Sequence, residues 1–280
     1  MEQDLKSKVT LERLARPYRS DLEYYHAQPE KPCSDVKLVF IHGAFSNGWV
    51  WTVFFQPYFA SLGYETYALN LRGRRPIAPF LPTQHGLADY VGDVEDLVDF
   101  IDAPHVLIGH SLGGLIAQKL SALSAPLALA LLASVPPEGL AISAWQMALS
   151  NPLLLWNTAT FSISPQLSSV GLARDALFSA DADEDLVNIT LRQTSPEAPR
   201  ALMEAQLPIA AAPGFLSGIP VMVLGAANDQ LIPAGAVQRT ADFHGVEPFI
   251  MRDLAHAVMV DTRWRRVADH LHDWLQKNVL

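Results

Sequence analysis

The stretch Val106-Leu107-Ile108-Gly109-His110-Ser111-Leu112-Gly113-Gly114-Leu115 sets the tightest limit on how this chain can fold. Its apolar start reads as a buried strand, and the pattern from Leu115 onward reads as a helix. Only Gly109 to Gly114 separate the two. A strand that becomes a helix so abruptly holds its central residue in a strained backbone conformation. Small neighbours are needed for such a turn to close.

The rest of the chain repeats the same alternation. Val36–Ile41 is a short apolar run followed at once by His42-Gly43. Further strands are expected at Glu65–Leu69, Val106–Gly109, Ala128–Ala133, Val221–Leu224 and Pro248–Met251. Helical spacing is found over Gln56–Leu62, Leu87–Ile101, Leu112–Leu123 and Trp264–Leu275. Apolar strands alternating with amphipathic helices predict an α/β fold, a mainly parallel sheet flanked by helices on both faces. Residues 8–30 are expected to add an antiparallel hairpin at one edge. From Pro136 to Pro208 the alternation stops. That stretch is read as a helical cap insertion (136–208) into a core made of 1–135 and 209–280.

At 280 residues with half of them hydrophobic, the chain can bury one large core. A formal charge of −9 disfavours phosphate backbones and anionic membranes, so no nucleic-acid or membrane partner is expected. Arg72, Arg74 and Arg75 are too few to form a basic tract. The apolar run Leu115–Val135 is interrupted by Lys119 and Pro126, which suits a helix and a strand rather than a membrane span. Cys33 is the single cysteine, and Met1 to Arg19 carry mixed charges without an apolar centre. A cytoplasmic protein without a secretory signal is the expectation. No H-E-x-x-H and no glycine-rich phosphate loop occurs, so neither metal nor cofactor is expected. The oligomeric state is not legible.

Ser111 at the strand-to-helix turn is the candidate nucleophile, exposed above the sheet edge at the positive end of a helix dipole. A serine needs a base. Of nine histidines, His256 is favoured, because it follows the strand at 248–251 and precedes the last helix. Sites in open α/β sheets gather at that carboxyl edge. His270 and His272 fall within the terminal helix, His244 is a weaker candidate, and His42 is read as holding its own loop. His110, beside Ser111, is expected to point away from it. An acid must fix the imidazole tautomer. Asp229, after the strand at 221–224, is the first choice, and Glu138 is the alternative. The oxyanion donors are expected to be the backbone N–H groups of Leu112 and Ala44, with Phe45 as the alternative to Ala44. Apolar side chains at Phe45, Trp145, Met147, Trp156 and Phe161 are expected to line or roof the substrate pocket.

Three motifs carry a resemblance to a known family. They are His42-Gly43-Ala44-Phe45-Ser46-Asn47-Gly48-Trp49-Val50-Trp51, then Gly109–Gly114, then Gly225–Pro233 with Ala255-His256-Ala257-Val258-Met259. Together they resemble the α/β-hydrolase superfamily from about Val36 to Leu280. The first is similar to the esterase and hydroxynitrile-lyase branch, which implies the Ala44 N–H as an oxyanion donor. The segment Asn70-Leu71-Arg72-Gly73-Arg74-Arg75-Pro76 departs from the superfamily's Asp-x-Arg-Gly-x-Gly loop at Asn70 and at Arg74-Arg75. The lysine that the lyase branch tends to carry near its triad has no counterpart near His256 or Asp229. A serine at the turn, rather than an aspartate, disfavours a dehalogenase.

The function expected from this resemblance is hydrolysis of a small apolar or aromatic carboxylic ester through an acyl-enzyme. The same triad also serves C–C bond hydrolysis, lactone opening, perhydrolysis and cofactor-free oxygenation. A non-enzymatic small-molecule receptor on the same scaffold is the remaining alternative.

Overall fold

The strand Lys37–Ile41 shows why this chain forms a two-sided sheet. Val39 and Ile41 enter one buried cluster, whereas Leu38 and Phe40 enter another on the opposite face. Side chains of a strand alternate between faces, so a strand covered on both sides is apolar throughout. A computed structural model describes residues 8–14, 22–73, 84–153, 155–156, 160, 170–209, 211, 213–214 and 218–280. Its strands are β1 (Val9–Leu14), β2 (Leu22–Ala27), β3 (Lys37–Ile41), β4 (Glu65–Asn70), β5 (His105–His110), β6 (Ala128–Leu132), β7 (Val221–Ala226) and β8 (Phe249–Met251). They form one sheet in the order β1-β2-β4-β3-β5-β6-β7-β8. The pairs from β4 to β8 are parallel, while β1–β2 and β2–β4 are antiparallel. The edge hairpin expected over 8–30 is therefore present as β1 and β2, with Val9 opposite Ala27 and Leu14 opposite Leu22.

The helices are α1 (Trp49–Thr52), α2 (Phe55–Ser61), α3 (Leu87–Ile101), α4 (Leu112–Ser121), α5 (Ala141–Ser150), α6 (Val170–Leu177), α7 (Glu184–Arg192), α8 (Pro199–Glu204), α9 (Ala234–His244) and α10 (Trp264–Asn278). One face of the sheet is covered by α3, α4 and α9, through Val91, Val94, Leu115 and Val237 among others. The other is covered by α1, α2 and α10, through Trp51, Phe55, Phe59, Val267 and Leu271. Between β6 and β7 the described chain forms α5 to α8 and no strand. Leu115–Val135 divides into α4 and β6, and no described helix is long and apolar enough to cross a membrane.

Helix α9 has no clear apolar stripe in the sequence. It buries Ala236, Val237, Thr240, Ala241 and His244. These are mostly small or polar, so the buried face carries little hydrophobic contrast. His244 is held there as a structural residue. Its Nδ1 accepts from Gly214 N–H at 3.0 Å, and its Nε2 donates to Gln118 Oε1 at 3.1 Å.

Parallel strands bring their carboxyl ends to one edge. The loops after β3, β5, β6 and β8 there each hold a non-glycine residue at positive φ: Phe45 (61°), Ser111 (51°), Ala133 (44°) and Asp253 (58°). Backbone strain of this kind persists only where the surroundings fix it, and it concentrates at functional edges.

Candidate active site

Ser111 sits between β5 and α4 with φ 51° and ψ −119°. The turn closes because its neighbours lack side chains. A Cβ on Gly109 would lie 2.5 Å from the Gly113 carbonyl oxygen and 2.6 Å from Gly114 Cα. A Cβ on Gly113 would overlap the Ile41 carbonyl and lie 2.5 Å from that of His42. The backbone anchors the turn as well. Ser111 N–H donates to Leu132 C=O at 3.1 Å, and Val135 N–H donates to Ser111 C=O at 3.1 Å. Leu112 opens α4, so its N–H has no acceptor within the helix.

His256 follows β8 and is only 4% exposed. Its Nδ1 donates to Asp229 Oδ2 at 2.7 Å. The other oxygen of Asp229 accepts from the N–H groups of Leu231 and Ile232, both at 2.8 Å. Each lobe of the carboxylate is therefore committed, which fixes its orientation. With the proton on Nδ1, the Nε2 lone pair of His256 is free to accept one. Glu138 lies elsewhere and receives Arg239 Nε at 2.5 Å. The acid brought to His256 is thus Asp229, not the alternative.

The loop after β3 is tied down at both ends. His42 Nδ1 donates to Gly43 C=O at 2.8 Å, and its Nε2 accepts from Leu71 N–H at 3.2 Å. Gly48 N–H donates to Asn70 Oδ1 at 2.7 Å, so the asparagine in place of an acid still receives a backbone bond. Arg72 pairs with Asp93 through Nε at 2.8 Å and through its backbone N–H at 2.9 Å. Arg74, Arg75 and Pro76 lie outside the described residues.

Phe45 N–H donates to Glu197 Oε2 at 3.2 Å, which occupies the group considered as an alternative to Ala44 for the oxyanion. Glu197 belongs to no recognisable motif in the sequence. Its only local signal is a charge between Pro196 and Pro199. His110 also has a part the sequence did not suggest. Its Nε2 donates to His256 C=O at 2.9 Å, with the two rings 4.6 Å apart. Burial, followed by the nearby His256, holds its pKa well below the usual histidine value. It is therefore a neutral donor at pH 7.

Ser111, His256, Ala44 and Phe45 line one cavity of about 450 Å³. Val135, Met147, Phe178 and Leu231 line it too, and no Asp, Glu, Lys or Arg is among its described walls. Two pocket expectations are corrected. Trp145 and Trp156 are 67% and 74% exposed and do not line the cavity. Along α5 the residues turned inward are Ser143, Ala144 and Met147, and the helical turn carries Trp145 to the outer side. Phe161 lies outside the described residues.

Serine, imidazole and buried carboxylate beside a largely apolar cavity can carry out nucleophilic acyl transfer. Comparison with solved structures finds the same fold at low identity. A carboxylesterase of the thaumarchaeon Nitrososphaera gargenis matches with TM-score 0.70 and 19% identity, over 95% of this chain and 98% of that one. An esterase from Exiguobacterium antarcticum matches with TM-score 0.69 and 13% identity, over 91% and 96%. A bromoperoxidase from Bacillus anthracis matches with TM-score 0.68 and 14% identity, over 96% and 100%. No curated protein matches the sequence. The alpha/beta hydrolase family model matches residues 38–270, spanning the turn at Ser111, the carboxylate at Asp229 and the loop at His256, and the chain belongs to that family.

Proposed function

We propose that the chain is a serine hydrolase that cleaves carboxylic esters of small, uncharged apolar or aromatic substrates through an acyl-enzyme. The observation that carries this reading is the 2.7 Å bond from His256 Nδ1 to a fully buried Asp229 carboxylate, behind a cavity that Ser111 also lines. His256 Nε2 takes the proton of the Ser111 hydroxyl as Oγ adds to the ester carbonyl. The oxyanion accepts from the N–H groups of Leu112 and Ala44. His256 then gives the proton to the leaving alkoxide, and the alcohol departs. A water molecule, deprotonated by the same nitrogen, adds to the acyl carbon. The bond from that carbon to Ser111 Oγ then breaks as His256 returns the proton to Oγ, and the carboxylic acid leaves.

Among the described residues the cavity walls carry no charged side chain, which supports a neutral substrate, since a buried unpaired charge is costly. The solved esterases that share the fold make esters the first class to assay. Residues 136–208 act in this reading as a cap over the core of 1–135 and 209–280, because Met147, Phe178 and Leu191 supply one side of the cavity. A cytoplasmic site of action is part of the proposal and rests on the single cysteine.

The test is treatment with a fluorophosphonate followed by peptide mapping, together with turnover of p-nitrophenyl acetate and butanoate. Label is expected on Ser111, and Ser111→Ala is expected to lose at least about 10³-fold in kcat. Label on another residue, or wild-type rates in Ser111→Ala, would overturn the mechanism and leave the receptor reading.

A further inference from the structure

We propose that Glu197 is a positioning residue for the oxyanion loop, holding Phe45 so that the neighbouring Ala44 N–H stays aimed at the reacting carbonyl. The inference rests on the acyl-transfer reading of Ser111, His256 and Asp229.

Phe45 is a bulky residue at φ 61°, a backbone region it enters only when its surroundings hold it there. What holds it is the segment between α7 and α8. Phe45 N–H donates to Glu197 Oε2 at 3.2 Å, and Phe45 C=O accepts from Ser195 N–H at 2.9 Å. Asn47 Nδ2 adds a bond to Gln193 C=O at 3.1 Å. Glu197 is 3% exposed, and its other oxygen accepts from Tyr90 OH at 2.6 Å and from Ala198 N–H at 2.8 Å. The carboxylate thus joins α3, the segment before α8 and the oxyanion loop.

The consequence for Ala44 follows from peptide planarity. The plane before it contains Gly43 C=O, which His42 Nδ1 holds at 2.8 Å. The plane after it contains Phe45 N–H, which Glu197 holds. With both flanking planes fixed, the Ala44 N–H has one direction before any charge develops, as preorganised stabilisation requires. The carboxylate form matters. Ala198 N–H and Phe45 N–H use different oxygens, and a glutamine offers only one acceptor oxygen. Its NH₂ would face whichever backbone N–H is left.

The test compares Glu197→Gln with Tyr90→Phe in the full chain. Four quantities are read: kcat and KM on p-nitrophenyl butanoate, fluorophosphonate labelling rate, and hydrogen exchange of the Phe45 amide. Glu197→Gln is expected to lower kcat about 10- to 100-fold with KM within about threefold, less than the full loss of a donor. Its Phe45 amide is expected to exchange at least about tenfold faster. Tyr90→Phe leaves both backbone bonds in place and is expected to keep kcat within about threefold. The proposal is overturned by a Glu197→Gln enzyme with wild-type kcat, by unchanged Phe45 exchange, or by an equal loss in Tyr90→Phe. Should Glu197→Gln fail to fold, Glu197→Asp retracts the same two oxygens by one methylene and is expected to show the same kcat loss. If the wild-type chain neither turns over esters nor takes the label, the acyl-transfer reading falls, and Phe45 exchange alone still decides whether Glu197 holds the loop.

Discussion

Replacing Asp229 by asparagine isolates what the carboxylate does, because the geometry dictates how the amide must sit. Oδ1 of Asp229 accepts two backbone N–H groups, from Leu231 and Ile232, both at 2.8 Å. The amide oxygen has to take that position, since an NH₂ there would meet two donors. The NH₂ therefore occupies the Oδ2 position, 2.7 Å from His256 Nδ1. Two donors cannot share that contact, so His256 must present a lone pair at Nδ1 and carry its proton on Nε2. In that tautomer it cannot accept the Ser111 proton. A loss of about 10⁴-fold in kcat is expected, by analogy with the same change in a serine protease. At 1.36 kcal/mol per decade this is about 5.5 kcal/mol of transition-state stabilisation. Stability should fall far less, because the two backbone bonds persist. The assay is kcat on p-nitrophenyl butanoate, with a thermal melt to show that the variant is folded. Glu138→Gln is the matched control. Glu138 pairs with Arg239 at a partly exposed site, and that change is expected to cost under about 1 kcal/mol of stability and little activity. A folded Asp229→Asn enzyme within tenfold of wild type, or a larger loss in Glu138→Gln, would refute the assignment.

Other expectations follow from the packing and the titrating groups. Gly113→Ala places a methyl group against the carbonyls of Ile41 and His42, which are backbone of a central strand and its loop. It is expected to cost about 1–3 kcal/mol or more, seen as a lower Tm together with lost activity. Met147→Ala should shift the preference in an acyl-chain series toward longer esters, whereas Trp145→Ser, at a site 67% exposed, should leave the series unchanged and alter stability by no more than about 0.5 kcal/mol. His244, pushed by burial down to about 4, stays neutral in the folded chain, while the unfolded chain protonates it near 6.5. Its stabilising effect is therefore present above about pH 6.5 and is lost as the pH falls from there toward 4. The loss reaches about 3 kcal/mol, and buried His110 adds to it in the same direction. Thermal melts between pH 7 and 4.5 should show the decline, and a flat profile would contradict it.

Local signals reach some of these features and not others. The bounds of α3, Leu87–Ile101, can be read directly from apolar spacing, because a long amphipathic helix declares its buried face in its own period. The turn at Ser111 is equally local, since its glycines answer steric demands set within one turn and by the strand beside it. Helix α9 escapes the same approach, because its buried face is made of alanine, threonine and histidine. Chain order and parallel strands also put Asp229 and His256 at one edge and favour Asp229, while leaving Glu138 as a rival. That choice belongs to the tertiary structure, which gives Glu138 to Arg239 and Asp229 to His256. The outward placement of Trp145 is likewise decided by which side of α5 meets the cavity. The bond between Phe45 and Glu197 joins residues 152 positions apart. Periodicity and turn chemistry act over a few residues and are written in the sequence. The identity of a through-space partner depends on how strands, helices and loops are packed together, and only the folded chain decides it.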